Sequence, residues 1–494
     1  MPPENCPTCG LPGRLNLKHD DKKVLDIVRT ERPLLEYDHD WVDQNITTLD
    51  GHLLSLRQSL SRLEDLTSLI KTQIDAATIA KKRLESLSAP IRRLPRDILL
   101  EIFSLCRPGH PGLNDEPHLD ARDYPWTLGH ICHWWRDIVH SSPMLWAVVV
   151  LYPPYNPKIV ETQLQRSGNV PLSVCIFIHH CGGSVHSSAI IDSVMGLCHR
   201  WSKLELHAHA PLCHGVDLPP HADKLPFSLP QLQTLKVRGT WSSYVVPVLD
   251  APLLKTVRLN EFPLQSVPNH ITHLALSKLS IEELPLLSSF PNLVELHFTP
   301  MCFTQDAAPT SMITHPTIRC LSVSGISMLP FLTLPALEHL QYMEISWDNS
   351  VVSAFLSRSR CTLKTLLANM RYADESFLEL LGSQPSLCRL TVDPIGDYSH
   401  AVIRKLSSLD FLPNLEHLSV HYIDDAVKMI RARWYAPMRH IRTFVIISSR
   451  PKDAVMDSME AMINEGLDVK VMDGPHRHLE VWLDPLMKET EDIL

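Results

Sequence analysis

The feature that most constrains the fold of this chain is a short apolar pattern that recurs along its C-terminal half. Each copy reads apolar-x-x-apolar-x-apolar, often after a proline, as in FPNLVELHF from Phe290 and LPNLEHLSV from Leu412. The first apolar position recurs in ten steps from Trp201 to Ile441, so the mean period is about 24 residues. The eleven positions are Trp201, Leu232, Leu254, Ile271, Leu293, Ile318, Leu337, Leu363, Leu387, Leu415 and Ile441.

These copies predict stacked strands. The L-x-L alternation at the end of each copy is typical of a strand with one buried face, and its apolar residues stay exposed until a neighbouring copy covers them. The pattern and its period resemble leucine-rich repeats. The asparagine that usually follows the pattern is absent, so we predict an irregular leucine-rich-repeat-like solenoid over residues 151–475. A packed α+β domain of another type is the alternative.

The residues between the apolar positions define a candidate substrate face. Side chains alternate along a strand, so these residues should point away from the core. They are Lys236, Arg258, His273, Glu295, His297, His339, Gln341, Arg389, Asp393, His417 and His421. Either they are solvated spacers, or they align into a polar track whose charge rises as the pH falls toward about 6.5. In the second case His297, His339 and His417 would contact a protein substrate.

Residues 46–88 carry a different periodic signal. Apolar residues alternate at spacings of three and four, interrupted only by Thr67, and the segment lacks proline. This is a heptad pattern, which predicts one long helix. The seam residues are Ile46, Leu49, Leu53, Leu56, Leu60, Leu63, Ile70, Ile74 and Ala77. The helix either packs back on its own chain or self-associates as a coiled coil.

The segment 90–150 carries more apolar surface than so small a unit can bury, which implies a partner. Helical spacing predicts one helix in RDILLEIFSLC and another that continues for three turns from Leu128 to Val139. Between them lies a loop rich in proline, glycine and charge. Pro95 fixes its own backbone and should hold Leu94 in an extended arm that presents its side chain.

The same segment resembles an F-box. Three blocks occur in order: Leu-Pro followed by an acidic residue and Ile, then Ile-Cys-x-x-Trp-Arg, then Ser-Pro-x-Leu-Trp. Their residues are Leu94, Pro95, Asp97, Ile98, Ile131, Cys132, Trp135, Arg136, Ser142, Pro143, Leu145 and Trp146. The loop between the first two blocks is longer than in the compact form of the motif.

The resemblance implies a role in ubiquitin ligation. F-box proteins bind the Skp adaptor of Skp–cullin–F-box ubiquitin ligases, and a second domain of the same chain holds the substrate. By this resemblance, the adaptor-binding residues are Leu94, Pro95, Ile98, Ile102, Leu128, Ile131, Cys132, Trp135 and Trp146. The alternative is a non-ligase repeat scaffold in which the segment only caps the solenoid and buries Leu94, Ile98 and Trp135. A hydrolase within residues 150–494 is a third class.

The net charge and the apolar segments give no indication of a nucleic-acid or membrane partner. The net charge of −9 gives no general attraction to nucleic acid or anionic membranes. The start of the chain shows no signal segment, and the apolar run Met144–Tyr152 is too short to span a bilayer. Most of the twelve cysteines sit singly in apolar patterns, which indicates reduced thiols and a cytoplasmic or nuclear protein.

Motifs for metal binding or catalysis are weak. The pair in CPTCG, Cys6 and Cys9, lacks the second ligand pair of a zinc module, and IHHCGGS and HAHAPLCH resemble metal sites only in composition. Phosphate loops, HExxH pairs and nucleophile elbows are missing from the sequence. We therefore expect a non-catalytic protein with no cofactor, no metal and no catalytic residues.

The predicted organisation is thus mixed, α/β in class and α+β overall. A disordered tail, residues 1–45, precedes the long helix of residues 46–88. A small all-α F-box-like unit over residues 90–150 follows, then the repeat region, and residues 476–494 form a C-terminal tail.

Overall fold

The protein is described from a computed structural model. It describes residues 20–29, 34–106, 124–152, 156–179, 186–209, 228–240, 249–261, 264–277, 281–298, 312–323, 328–342, 349–370, 375–394, 399–421, 424–437, 440–448 and 456–473. Two compact units divide the chain, Met1–Leu99 and Leu100–Leu494, and each is described by itself. Cys6, Cys9 and the predicted C-terminal tail lie outside the described residues.

The N-terminal unit is dominated by one long helix. Helix α1 spans Asp20–Arg29 and helix α2 spans Glu36–Leu87, which is 52 residues. A 3-10 turn follows at Pro90–Arg93, so the proline does stop the helix where the sequence predicts. Helix α3, Arg96–Leu105, contains the boundary between the two units.

The prediction that residues 1–45 lack regular structure is wrong for the part of that range that the structure describes. Residues 20–29 are helical, and α2 begins ten residues before the predicted start at Ile46. The Asp38 carboxylate accepts a hydrogen bond from the backbone N–H of Leu35 at 3.2 Å, which closes the first turn of α2. This bond corresponds to one half of a capping box, since the Leu35 side chain has no acceptor for the other half.

The second unit begins with short helices rather than the continuous one that the spacing predicts. Helix α4 spans Trp126–Ile131 and helix α5 spans His133–His140. Cys132 separates them with an extended backbone, φ −158° and ψ 169°, and its Sγ accepts the backbone N–H of Trp135 at 3.5 Å. The cysteine thus caps α5 and breaks the predicted helix.

A parallel sheet forms the rest of the second unit. Within the described ranges it contains fourteen strands that follow one another in chain order, and each pairing is parallel. The strands are β1 Val148–Leu151, β2 Leu172–His179, β3 Trp201–His209, β4 Thr234–Thr240, β5 Thr256–Glu261, β6 His273–Leu276, β7 Glu295–Phe298, β9 Cys320–Val323, β11 His339–Tyr342, β12 Thr365–Met370, β13 Arg389–Pro394, β14 His417–His421, β15 Thr443–Ser448 and β16 Asp468–Asp473. A separate two-stranded sheet pairs β8 Ile313–Thr314 with β10 Leu332–Thr333.

Helices and 3-10 turns connect the strands. The helices are α6 Pro157–Arg166, α7 His186–Met195, α8 Asn349–Ser359, α9 Glu375–Gly382, α10 Ser399–Leu406, α11 Asp424–Trp434 and α12 Glu460–Asn464. The 3-10 segments are Pro143–Trp146, Cys198–Arg200, Leu264–Ser266, Ile281–Ser289 and Leu329–Phe331. The chain is therefore a mixed α/β protein with a long N-terminal helix and a parallel sheet of many strands.

The apolar pattern accounts for most of this sheet. Each of the eleven predicted copies contributes one strand, from β3 to β15 with β8 and β10 omitted. The first apolar residues of all eleven copies are buried, with exposed fractions of 0% to 3%. They join one apolar core along the whole sheet, as the stacking argument predicts. No helix in the described ranges combines the length and hydropathy that a bilayer span requires.

Candidate functional site

The Leu-Pro arm of the F-box-like segment belongs to the N-terminal unit. Leu94 has the extended backbone that the following proline predicts, with φ −71° and ψ 135°. Its N–H donates to the Ile91 carbonyl at 3.3 Å, and its side chain is half-buried. Pro95 is exposed, and Ile98 in the first turn of α3 is 50% exposed. The Ile98 side chain, next to the extended arm of Leu94 and Pro95, is thus open to solvent.

The second block of the segment lies in the other unit. Ile131, the last residue of α4, is 60% exposed, and Leu128 one turn earlier is half-buried. Ile102 and Cys132 are also half-buried. The Arg136 guanidinium donates through Nε to the Gly129 carbonyl at 2.9 Å, which ties the two short helices together across the break.

Trp135 is half-buried, and its ring is held by contact with Phe103. Its ring lies 4.7 Å from the ring of Phe103, measured between centroids, at an interplanar angle of 59°. Phe103 is buried, so one face of Trp135 packs on the interior while the rest of its indole stays accessible. An amphipathic ring held in this way suits a docking surface because little rotamer freedom remains to be lost on binding.

Trp146 occupies a different place from the other predicted adaptor-binding residues. It is fully buried, and its Nε1 donates to the Val139 carbonyl at 2.8 Å. Its ring packs edge-on against Trp126 at 5.0 Å, and the Arg166 guanidinium lies 4.4 Å from the ring centroid. Trp146 therefore supports the unit from inside and offers no surface of its own to a partner.

On the face of the sheet opposite the apolar core, the residues form two rows, most of whose members are polar. In each row, the residue on one strand is in register with the residue on the next strand. The first polar row is Lys203, Thr234, Thr256, His273, Glu295, Cys320, His339, Thr365, Arg389, His417 and Thr443. The second polar row is Cys175, Glu205, Lys236, Arg258, Ala275, His297, Ser322, Gln341, Leu367, Thr391, Ser419 and Val445.

Many residues of these rows are buried, so the interpretation of solvated spacers is wrong for them. Lys236, Arg258, Glu295, His297 and Gln341 are each at least nine-tenths buried. Parallel strands lie about 4.8 Å apart, so each side chain covers its neighbours on both sides. The side chains of Asp393 and His421 lie outside the described residues.

Glu205 is the centre of a buried charge cluster at the N-terminal end of the sheet. Its carboxylate oxygens lie 3.0 Å from Lys236 Nζ, 3.4 Å from Lys203 Nζ and 3.7 Å from His207 Nε2. The His207 ring stacks on Phe177 at 4.3 Å. These charged residues are far apart in the sequence, and strand register brings them together around Glu205.

Within the described ranges, one set of potential metal ligands converges in the same cluster. The ligand atoms of Cys175, Glu205 and His207 all lie within 4.8 Å of one another. Burial, and then the neighbouring Glu205 carboxylate, raise the pKa of the Cys175 thiol far above its ordinary value. In the arrangement described, the Cys175 thiol keeps its proton and Lys236 neutralises the Glu205 carboxylate.

A second cluster is centred on Glu295. His297 Nε2 lies 2.5 Å from Glu295 Oε1 on the same strand, and His273 Nε2 on the preceding strand lies 3.4 Å from Oε2. His297 therefore has a buried carboxylate partner rather than a free imidazole.

The three histidines predicted to bind substrate do not converge. His297 lies in the second polar row on β7, whereas His339 and His417 lie in the first row on β11 and β14. Two strands separate β11 from β14, which is about 14 Å at the usual strand spacing. His339 and His417 are half-buried. Any partner that contacts all three must extend across several strands.

No family model matches the chain, and no curated protein matches it.

Proposed function

We propose that this chain is the substrate-recognition subunit of a Skp–cullin–F-box type ubiquitin ligase. The observation that carries the proposal is the exposure of Ile98 and Ile131, which are 50% and 60% exposed and lie in two successive blocks of the F-box-like motif. A segment that only caps a repeat domain would bury Leu94, Ile98 and Trp135, whereas Ile98 is exposed and the other two are half-buried. Each unit thus leaves one apolar residue of the motif open to solvent, which supports docking of the Skp adaptor.

The conformation of the arm supports the same role. Leu94 is already extended ahead of Pro95, and Trp135 is already packed on Phe103. Docking would therefore order few additional torsions, which lowers the entropic cost of association. Trp146 and Leu145 hold the segment from inside, because both are fully buried.

We further propose that the parallel sheet is the strand face of an irregular leucine-rich-repeat-like solenoid. The support is the match between the eleven predicted copies and eleven successive strands. The two polar rows would present the substrate-binding surface, with His339 and Arg389 among their half-buried members. The chain would contribute to ubiquitin transfer by position alone, because tethering raises the effective concentration of the substrate near the charged carrier.

Adaptor binding is the test of the proposed function. The full-length chain should bind purified Skp adaptor, and the double change Ile98→Glu with Ile131→Glu should weaken binding by at least about thirtyfold. The matched control is Leu253→Glu, because Leu253 is 49% exposed and lies outside the F-box-like segment. Equal binding by the double variant and the control would overturn the docking surface. Absence of binding by the unchanged chain would favour the non-ligase scaffold.

Substrate binding needs a separate test. A substrate is first identified by its accumulation when the chain is removed from cells. The double change His339→Ala with His417→Ala should abolish its binding, whereas His400→Ala with His440→Ala should leave binding intact. His400 and His440 are exposed and lie outside both polar rows, so they match the change in chemistry. Full retention by the first variant would remove the polar rows as the recognition surface.

A further inference from the structure

Helix α2 carries a long apolar surface that is open to solvent. Its seam, as the sequence predicts it, is exposed by 37% to 58% at each large apolar residue from Ile46 to Ile74. These residues are Ile46, Leu49, Leu53, Leu56, Leu60, Leu63, Ile70 and Ile74. A continuous exposed apolar stripe of this length indicates a missing partner.

The heptad register of the seam follows from its spacing. The a positions are Ile46, Leu53, Leu60, Thr67, Ile74 and Lys81, and the d positions are Leu49, Leu56, Leu63, Ile70, Ala77 and Leu84. The polar Thr67 is compatible with a seam because its Oγ1 donates to the Leu63 carbonyl at 2.7 Å. Its hydroxyl is satisfied within the helix, and its methyl group remains available for packing.

Four successive e positions of the register alternate in charge. Asp50, Arg57, Glu64 and Lys71 follow one another at seven-residue intervals, with signs minus, plus, minus and plus. All four are exposed. Charges that flank a seam set the choice and the orientation of its partner.

We propose that α2 forms an antiparallel coiled coil with a second copy of this chain. In an antiparallel pair each e position lies beside an e position of the other helix. With Leu60 opposite Leu63 of the second copy, Asp50 faces Lys71 and Arg57 faces Glu64. Because the pairing is two-fold symmetric, each opposite-charge contact occurs twice.

The same alignment fills the seam. Reading outward from the centre, Leu53 meets Ile70 of the second copy, and Ile46 meets Ala77. In the other direction, Thr67 meets Leu56 and Ile74 meets Leu49. Each layer pairs an a residue with a d residue, so small side chains lie opposite large ones and no layer joins two polar residues.

A parallel, in-register pair lacks these contacts. There, each e position faces a g position, and the g residues His52, Ser59 and Leu66 offer no opposite charge to Arg57, Glu64 and Lys71. The a position Lys81 would also meet Lys81 of the second copy, and like charges at a seam repel. The sequence of charges therefore selects the antiparallel orientation.

Charge reversal at the e positions tests both the dimer and its orientation. One variant of the full-length chain carries Asp50→Lys and Glu64→Lys, which makes all four e positions positive. A second variant carries Arg57→Glu and Lys71→Glu, which makes them negative. The matched control carries Asp65→Lys and Asp75→Lys, because these exposed residues lie away from the seam and give the same change in net charge as the first variant.

Sedimentation velocity at low salt should show a dimer for the unchanged chain and for the control. Each e-position variant alone should self-associate about a hundredfold more weakly, and an equimolar mixture of the two should form a heterodimer. A monomeric or higher-order unchanged chain would overturn the antiparallel dimer. Two e-position variants that dimerise as well as the control would overturn the antiparallel orientation.

Discussion

Lys236 Nζ lies 3.0 Å from Glu205 Oε1 across two adjacent parallel strands, and both side chains are almost completely buried. The two charged side chains are buried in the second polar row, on the face of the sheet that lies away from the apolar core. Such a pair is costly to break, since removal of one partner leaves the other charge buried.

We expect Glu205→Leu to lower the free energy of unfolding by about 3 kcal/mol, because Lys236 then loses its nearest carboxylate. The double change Glu205→Leu with Lys236→Met should recover part of this loss, because it removes both charges together. Urea denaturation of the unchanged chain, of Glu205→Leu, of Lys236→Met and of the double variant measures the difference. If the double variant is as unstable as the sum of two single changes, the pair is not coupled.

Stability should depend on pH through His417. Burial, and then the nearby Arg389 guanidinium, lower the pKa of His417 below its ordinary value of 6.5. Glu416 and Asp468 oppose this shift, and Arg442 adds to it. Because the folded chain then binds the proton less tightly than the unfolded chain, the stability that neutral His417 contributes is complete above pH 6.5 and is lost as the pH falls through the folded-state pKa.

The variant His417→Gln removes this titration. Between about pH 7.5 and about pH 5.5, the difference in unfolding free energy between the unchanged chain and the variant should shift in favour of the variant. Denaturant titrations at the two pH values measure it. A shift in the opposite direction would mean that the folded state favours the imidazolium. It also follows that His417 adds positive charge to the polar rows only below pH 6.5.

Arg433 should be far more sensitive to substitution than Arg431 on the same helix. Its buried guanidinium donates to the carbonyls of Leu406 at 2.5 Å and Leu412 at 3.1 Å. Lysine cannot reproduce this planar fork, so we expect Arg433→Lys to cost about 2 kcal/mol or more of unfolding free energy. Arg431→Lys, at an exposed position, should cost less than about 0.5 kcal/mol. Equal losses in thermal or urea unfolding would show that the carbonyl contacts contribute little.

Substitutions at Trp146 and Ile131 should have opposite effects: the first should lower stability, and the second should weaken adaptor binding. Trp146→Ala removes a fully buried ring and should lower the unfolding free energy by about 3–5 kcal/mol. Ile131→Ala removes an exposed side chain and should change stability by less than about 0.5 kcal/mol while weakening adaptor binding. Unfolding curves and adaptor titrations on the same two proteins provide the comparison. A large stability loss from Ile131→Ala would assign that residue to the interior instead.

The strands that could be predicted are those that carry the spaced pattern apolar-x-x-apolar-x-apolar. This signal located eleven strands, whereas β1, β2 and β16 carry continuous or simply alternating apolar residues. The start of α2 was also missed, because the Asp38 bond that caps it adds no apolar periodicity.

The break at Cys132 could not be predicted from spacing, because the apolar residues keep the helical period on both sides of it. It depends on an N-cap contact from the Cys132 thiol to the Trp135 N–H. Similarly, burial of the polar rows depends on which residues face each other on adjacent strands, and pairing register is a tertiary property. The sequence therefore identified some residues of the polar rows, such as Lys236 and Glu295, but missed Glu205 and the ion pairs.

Hydrogen exchange of the full-length chain, with and without purified Skp adaptor, tests the central claim most directly. The account predicts slower exchange on binding at the amides of residues 94–106 and 126–136, and unchanged exchange along strands β3 to β15. Saturating adaptor that leaves the exchange of both segments unchanged, or that protects only the strands, would contradict it.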